Sequence, residues 1–160
     1  MDAAPAVPTK RGPTLDAEAA YQWLVDVKKI SPKRIVSHGE SLGGAVALEL
    51  ALRRPVAGLI LESSFTSIVD MGKRIFPFLP IDLMVTLRYD SLAKIPRITC
   101  PVLVMHSPQD DIVPYDMGQR LFAAAHSSKT FCKMQGGHNE GFLQTGAAYG
   151  EAVKNFLKGL

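Results

Sequence analysis

Ser37–Arg54 reads SHGESLGGAVALELALRR and follows directly on the β-branched run Arg34-Ile35-Val36. Gly39, Gly43 and Gly44 crowd Ser41 at the point where a strand pattern becomes a helical one. Such crowding takes the backbone through a sharp turn that holds one hydroxyl out. Gly39-Glu40-Ser41-Leu42-Gly43 also meets the pattern G-x-S-x-G, which between a strand and a helix presents its serine as a nucleophile. Whether this serine has partners depends on what the later strands carry.

The chain has 160 residues, the size of one compact domain, and a net charge of +3. No run of Lys or Arg forms a nucleic-acid patch, so no nucleic-acid partner is expected. Cys100 and Cys132 sit in or beside apolar runs with no Cys-x-x-Cys spacing, and read as buried free thiols of a reducing compartment. No stretch is apolar over the length of a membrane span. The N-terminal residues MDAAPAVPTKRGP lack the apolar core of a signal peptide, and a cytoplasmic location is expected.

Residues 1–13, rich in Pro and Ala, read as a mobile arm preceding a catalytic domain over 14–160. Thr14 is placed as the N-cap of a first helix, with Asp16 and Glu18 in its first turn and Ser31-Pro32 at its end. Strands and helices then alternate. Arg34–Ser37 is a strand and Leu42–Arg53 a helix; Val56–Glu62, Pro101–His106 and Lys129–Met134 are three further strands. Helices are expected near Tyr115–Ala125 and Ala147–Leu160. Short apolar strands separated by helices indicate an α/β domain with a parallel sheet covered on both faces. Residues 65–97, which hold FPFLPIDLMV and three prolines, interrupt the alternation with short helices, and read either as an ordinary crossover with a buried apolar face or as a small cap lining an apolar pocket.

Ligands of open α/β sheets bind at the carboxyl ends of the strands. The residues placed there are His38-Gly39-Glu40-Ser41, Glu62-Ser63-Ser64, the loop from His106 to Asp111, and Gln135-Gly136-Gly137-His138. A serine hydroxyl needs a base, and the base needs a carboxylate to orient it. His138, after two glycines on the last strand's loop, is the best-placed base, and Asp110 the best-placed acid, with Asp111 its rival. His38 and His106 are read as packing or supporting residues, and His126 as structural. A metal site built from His38, His106, Asp110 and His138 has no His–His pair at i, i+4 spacing to recommend it, and no cofactor is expected. Glu62 is placed as a tie between loops, and Ser64 and Phe65 as substrate contacts.

The motifs GESLGG, DDIVP and GGHNE, in this order, resemble those of the α/β-hydrolases, in particular the esterase, lipase and acyl-thioesterase-like branch. The likeness runs from about Gly12 to the end and covers the C-terminal part of that fold. It implies a three-layer sandwich with a reduced, mainly parallel sheet of about four strands. It also implies nucleophile Ser41, acid Asp110, base His138, and a small ester or thioester as substrate. In such enzymes one oxyanion donor is the N–H after the nucleophile, here Leu42, and the second comes from an earlier strand that this chain does not contain. The strand 34–37 is then expected at a sheet edge, open to pairing in a homodimer or to cover by the N-terminal arm. Two alternatives share the motifs: a catalytically weak module with a binding role, and a serine peptidase on the same fold.

Overall fold

The computed structural model describes residues 11–160. Four parallel strands, β1 (Val36–Glu40), β2 (Gly58–Glu62), β3 (Val102–His106) and β4 (Lys129–Lys133), form one sheet in the order β1-β2-β3-β4. Every residue of the two inner strands, GLILE and VLVMH, is buried. Their lack of polar alternation follows from cover on both faces. Leu59, Leu61, Val102 and Val104 point to one side, where they pack with Leu48 of α2 (Leu42–Arg53) and Leu121 of α6 (Tyr115–Ala124). Ile60, Leu103 and Met105 point to the other and meet Met134 and Phe156, the latter on α8 (Ala147–Lys158), which follows the short α7 (Gly141–Thr145). Each such side chain, fully buried, stabilises the fold by about 1.5–3 kcal/mol.

The register is continuous across the sheet: Glu40 pairs with Glu62 and Glu62 with Met105, so the carboxyl ends of β1, β2 and β3 lie level. The sheet therefore presents one edge from which the loops bearing Ser41, Asp110 and His138 all emerge. β1 remains an outer strand, as the sequence predicts, but it runs two to three residues later than expected, ending directly before Ser41. Ser37 and Gly39 face α2, where the Ser37 hydroxyl donates to the Ala47 carbonyl at 3.0 Å. His38 and Glu40 face the opposite side and are exposed.

Helix α1 (Arg11–Asp26) starts earlier than its sequence signals suggest. Thr14 lies inside the helix with its hydroxyl buried and unpartnered, so it is not the cap. Residues 11–13 belong to the helix, and the rest of the expected arm, 1–10, lies outside the described residues. The helix stops at Asp26, ahead of Pro32. The chain turns at Lys29, whose φ is 56°, and the Ile30 N–H donates back to the Leu24 carbonyl at 2.9 Å. Tyr21 secures α1 by donating its hydroxyl to the Pro55 carbonyl at 2.8 Å and packing on Ile35 and Leu50.

Between β2 and β3 the chain forms α3 (Ile68–Ile75), α4 (Ile81–Met84) and α5 (Ser91–Lys94), with a short 3-10 turn at Ile95–Arg97. Ser67 caps α3 by accepting the Asp70 N–H at 2.9 Å. Short helices were expected over this segment. They are anchored by Phe65, Val69 and Tyr89, all buried. Cys100 and Cys132 are free thiols, both half-buried, and burial pushes both up from the ordinary thiol range.

Candidate active site

Ser41 sits between β1 and α2 with φ 52° and ψ −119°, a conformation that costs a non-glycine residue about 1–3 kcal/mol. Main-chain and side-chain bonds hold it there. Its N–H donates to the Glu62 carbonyl at 2.9 Å, and its carbonyl accepts the Ser64 hydroxyl at 2.9 Å and the Gly44 N–H at 3.1 Å. The glycines around it answer mainly to space. A Cβ on Gly39 would lie 2.0 Å from the Gly43 carbonyl oxygen, and one on Gly44 would lie 2.4 Å from the Ser64 hydroxyl. Gly43 differs, since a Cβ there would meet no atom within 4 Å among the described residues.

This geometry makes a sharp prediction. Gly39→Ala forces strand from helix against backbone atoms that cannot swing aside, at the upper end of the overpacking range of about 1–3 kcal/mol. The melting temperature should fall by roughly 6–12 °C, whereas Gly43→Ala should leave it within a degree or two. Thermal unfolding of the two variants side by side checks the contrast.

The acid loop follows β3. One Asp110 oxygen accepts the N–H groups of Ile112 (3.0 Å) and Val113 (2.7 Å). Both carboxylate oxygens lie within hydrogen-bond distance of His138 Nδ1, at 3.0 and 2.9 Å. Burial, the largest single influence, pushes the Asp110 carboxyl up. The opposing hydrogen bonds from His106, His138, Val113 and Ile112 together outweigh it and hold the group far below the usual carboxylate range. Asp110 is therefore an anion, and it fixes the His138 proton on Nδ1, which leaves Nε2 as the basic nitrogen.

Asp111 has a different place. Its carboxylate accepts the His138 main-chain N–H at 2.9 Å, and that bond is the leading reason its own carboxyl is lowered. It positions the loop carrying the imidazole and does not orient the ring. Gly136, at φ 91°, shapes the same loop in a region side chains rarely enter.

His106, read from the sequence as a packing or supporting residue, is placed to do both. Its ring is fully buried, and Nε2 lies 3.0 Å from the Val113 carbonyl and 3.4 Å from Asp110. A carbonyl only accepts, so Nε2 carries the proton. Nδ1 has no partner and faces Gly118, where a Cβ would lie 2.3 Å away. A glycine in the middle of α6 is needed because the ring occupies the side-chain space.

Glu62, expected as a tie between loops, joins two strands and a helix instead. Its carboxylate accepts the Tyr149 hydroxyl at 2.9 Å and contacts His38 Nε2 at 3.0 Å, joining β1, β2 and α8 beneath the elbow. Burial first, then the Glu62 carboxylate, push the Tyr149 hydroxyl well above its ordinary range, so it stays a donor. His38 thus points to Glu62 and away from the acid loop. No group of three or more metal-ligating side chains is assembled among the described residues.

Ser64 and Phe65, expected at the substrate, lie inside the fold. The Ser64 hydroxyl is spent on the Ser41 carbonyl, and the Phe65 ring packs with Ala45, Tyr89, Val113 and Met117. Leu42 opens α2, where N–H groups have no intrahelical acceptor. No strand precedes β1 among the described residues.

A parallel sheet covered on both faces, with a strand–turn–helix elbow at one border and acid and histidine loops after later strands, makes this chain a partial α/β-hydrolase. Solved structures agree on the fold: the chain superposes on an esterase of Pyrococcus furiosus with TM-score 0.75 at 20% identity, covering 96% of this chain and 65% of that one. The esterase domain of a Rhodothermus marinus protein gives TM-score 0.69 at 21% identity, covering 92% and 70%. The chain belongs to the prolyl oligopeptidase family, which it matches over residues 8–155. An uncharacterised protein of Mycobacterium tuberculosis (strain H37Rv) is 40% identical over 154 residues, 96% of this chain and 55% of that protein. The lysophosphatidylserine lipase of Danio rerio is 33% identical over 169 residues, covering 94% of this chain and 43% of its own length. The chain thus spans about half the length of the curated relatives it matches.

No helix among the described residues is long and apolar enough to cross a membrane.

Proposed function

We propose that the protein is a serine hydrolase that cleaves carboxylic esters or thioesters through an acyl-enzyme on Ser41. The observation that carries this reading is the bond from His138 Nδ1 to the Asp110 carboxylate, at 2.9 Å, on the sheet edge where Ser41 is held at φ 52°. His138 Nε2 takes the Ser41 proton as the oxygen attacks the acyl carbon. The Leu42 N–H donates to the oxyanion, and His138 returns the proton to the departing alcohol or thiol. Water, giving its proton to the same imidazole, then attacks the acyl carbon; the bond to the Ser41 oxygen breaks, His138 returns the proton to that oxygen, and the acid is released. Asp110 stays ionised throughout and stabilises the imidazolium. The lipase and esterase names of two matches support the class without fixing the substrate.

The family name favours one second reading, a serine peptidase with the same three residues. A fluorophosphonate probe, followed by peptide mass mapping, tests the shared nucleophile: the adduct should fall on the peptide containing Ser41. Turnover of p-nitrophenyl esters of rising acyl length, set against peptidyl p-nitroanilides, separates the two readings. Faster release from the anilides would favour the peptidase. No adduct on Ser41 would remove both and leave a binding module.

A further inference from the structure

Ser41 and His138 stand on different elements. The main-chain groups of Ser41 bond to the end of β2 and to α2, and the His138 ring bonds to Asp110. The separation of hydroxyl and imidazole is therefore set by the elements that carry them. One of these, β2, makes an uncommon step where it ends. Ser63 is held at φ 43°, on the strand next to Ser41 at 52°, and its N–H donates to the Met105 carbonyl at 2.9 Å. Residues other than glycine persist in that region where their surroundings fix them, and they collect at functional sites. With this step between them, the Glu62 carbonyl accepts the Ser41 N–H and the Ser64 hydroxyl donates to the Ser41 carbonyl, each at 2.9 Å. The end of β2 thus grips the nucleophile turn at both its main-chain groups.

The Glu62 side chain anchors this grip. It is buried, accepts the Tyr149 hydroxyl at 2.9 Å and meets His38 Nε2 at 3.0 Å. His38 lies on β1, three residues before Ser41, and Tyr149 lies on α8, eleven residues after His138. The stretch between His138 and Tyr149 is itself tied down, because Thr145 at the end of α7 accepts the Gln135 N–H at 2.8 Å. The segment bearing the imidazole and the segment gripping the serine therefore meet at one buried carboxylate.

We propose that Tyr149 is a positioning residue: through Glu62 it sets Ser41 against His138, while His38 steadies the same carboxylate from β1. This role rests on Ser41 being the nucleophile.

Tyr149→Phe is the direct test. It keeps the ring beside Phe142 and the apolar cluster of Ile60, Leu103 and Met105, and removes only the hydroxyl. On a soluble p-nitrophenyl ester its kcat should fall about tenfold with KM unchanged, short of the roughly 100-fold that a misplacement of about 1 Å costs. The fluorophosphonate probe should still reach a single adduct per chain on Ser41, about tenfold more slowly. Complete but slow labelling marks a misplaced nucleophile; a fold partly lost gives fewer adducts at the parent rate. Glu62→Ala should slow labelling at least as much, and adding Tyr149→Phe to it should cost nothing further, since both cut one link. Glu62→Gln, whose side-chain carbonyl still accepts the Tyr149 hydroxyl, should recover most of the rate. The positioning role is overturned if Tyr149→Phe yields fewer adducts at the parent rate, or if its loss appears in KM alone. It is equally overturned if Glu62→Gln is no faster than Glu62→Ala. A reactive parent with an equally reactive Tyr149→Phe removes this role and leaves the hydrolase; a parent that takes no adduct on Ser41 removes both.

Discussion

Replacing Ser41 by alanine should lower ester turnover by about 10⁴–10⁶-fold, as removal of a serine nucleophile does elsewhere. The fold should survive, because the bonds that hold position 41 run through its main chain: N–H to Glu62, carbonyl to Ser64 and Gly44. Alanine at φ 52° is as strained as serine. Glycine is not, so Ser41→Gly should be equally inactive yet more stable by about 1 kcal/mol. That gain corresponds to roughly 2–4 °C in melting temperature. Inactivity paired with higher stability is a signature that damage to the fold cannot imitate. Measuring turnover and thermal unfolding on the same two variants reads it directly, and unchanged turnover in either would remove Ser41 from the chemistry.

Asp110→Asn should be the second large effect. The amide cannot stabilise an imidazolium and can drive His138 into the wrong tautomer, a change that costs about 10⁴-fold in turnover in comparable triads. Asp111→Asn should cost far less, because an amide oxygen can still accept the His138 main-chain N–H. Comparison of the two variants decides between the rival acids. Asp110 also links stability to pH. Its carboxyl is lowered in the folded protein, so the stability it contributes is fully present above the unfolded value of about 3.9 and is lost as pH falls below it. Unfolding followed between pH 5 and pH 2 should show a steeper loss of stability for the parent than for Asp110→Asn. Equal slopes would mean that the buried anion is not what acid destroys.

Much of this architecture could be read from local pattern. The bounds of α2 are the ones the sequence predicts, because glycines open the helix and Pro55 limits it. The inner strands GLILE and VLVMH announce burial on both faces by having no polar alternation. The start of α1 was harder to read: Thr14 looks like a cap in isolation, but the helix continues past it to Arg11. Side-chain partnerships were harder still. Nothing in the spacing of Ser64 from Ser41 tells that one hydroxyl is consumed by the other residue's carbonyl. The separate duties of Asp110 and Asp111 depend on which way two adjacent carboxylates turn in one loop. One sign of His106 was present, its i, i+4 relation to Asp110 across a loop with Pro108.

The buried imidazole of His106 has a practical consequence. Its Nε2 proton is shared between the Val113 carbonyl and Asp110, and the ring has no exposed surface. A ring proton so shielded exchanges slowly with water and should be visible by NMR, at low field, in the resting protein. It offers a label-free reporter of the acid loop, sensitive to any ligand that pulls Asp110 toward His138. Site occupancy could then be followed before a single substrate has been identified.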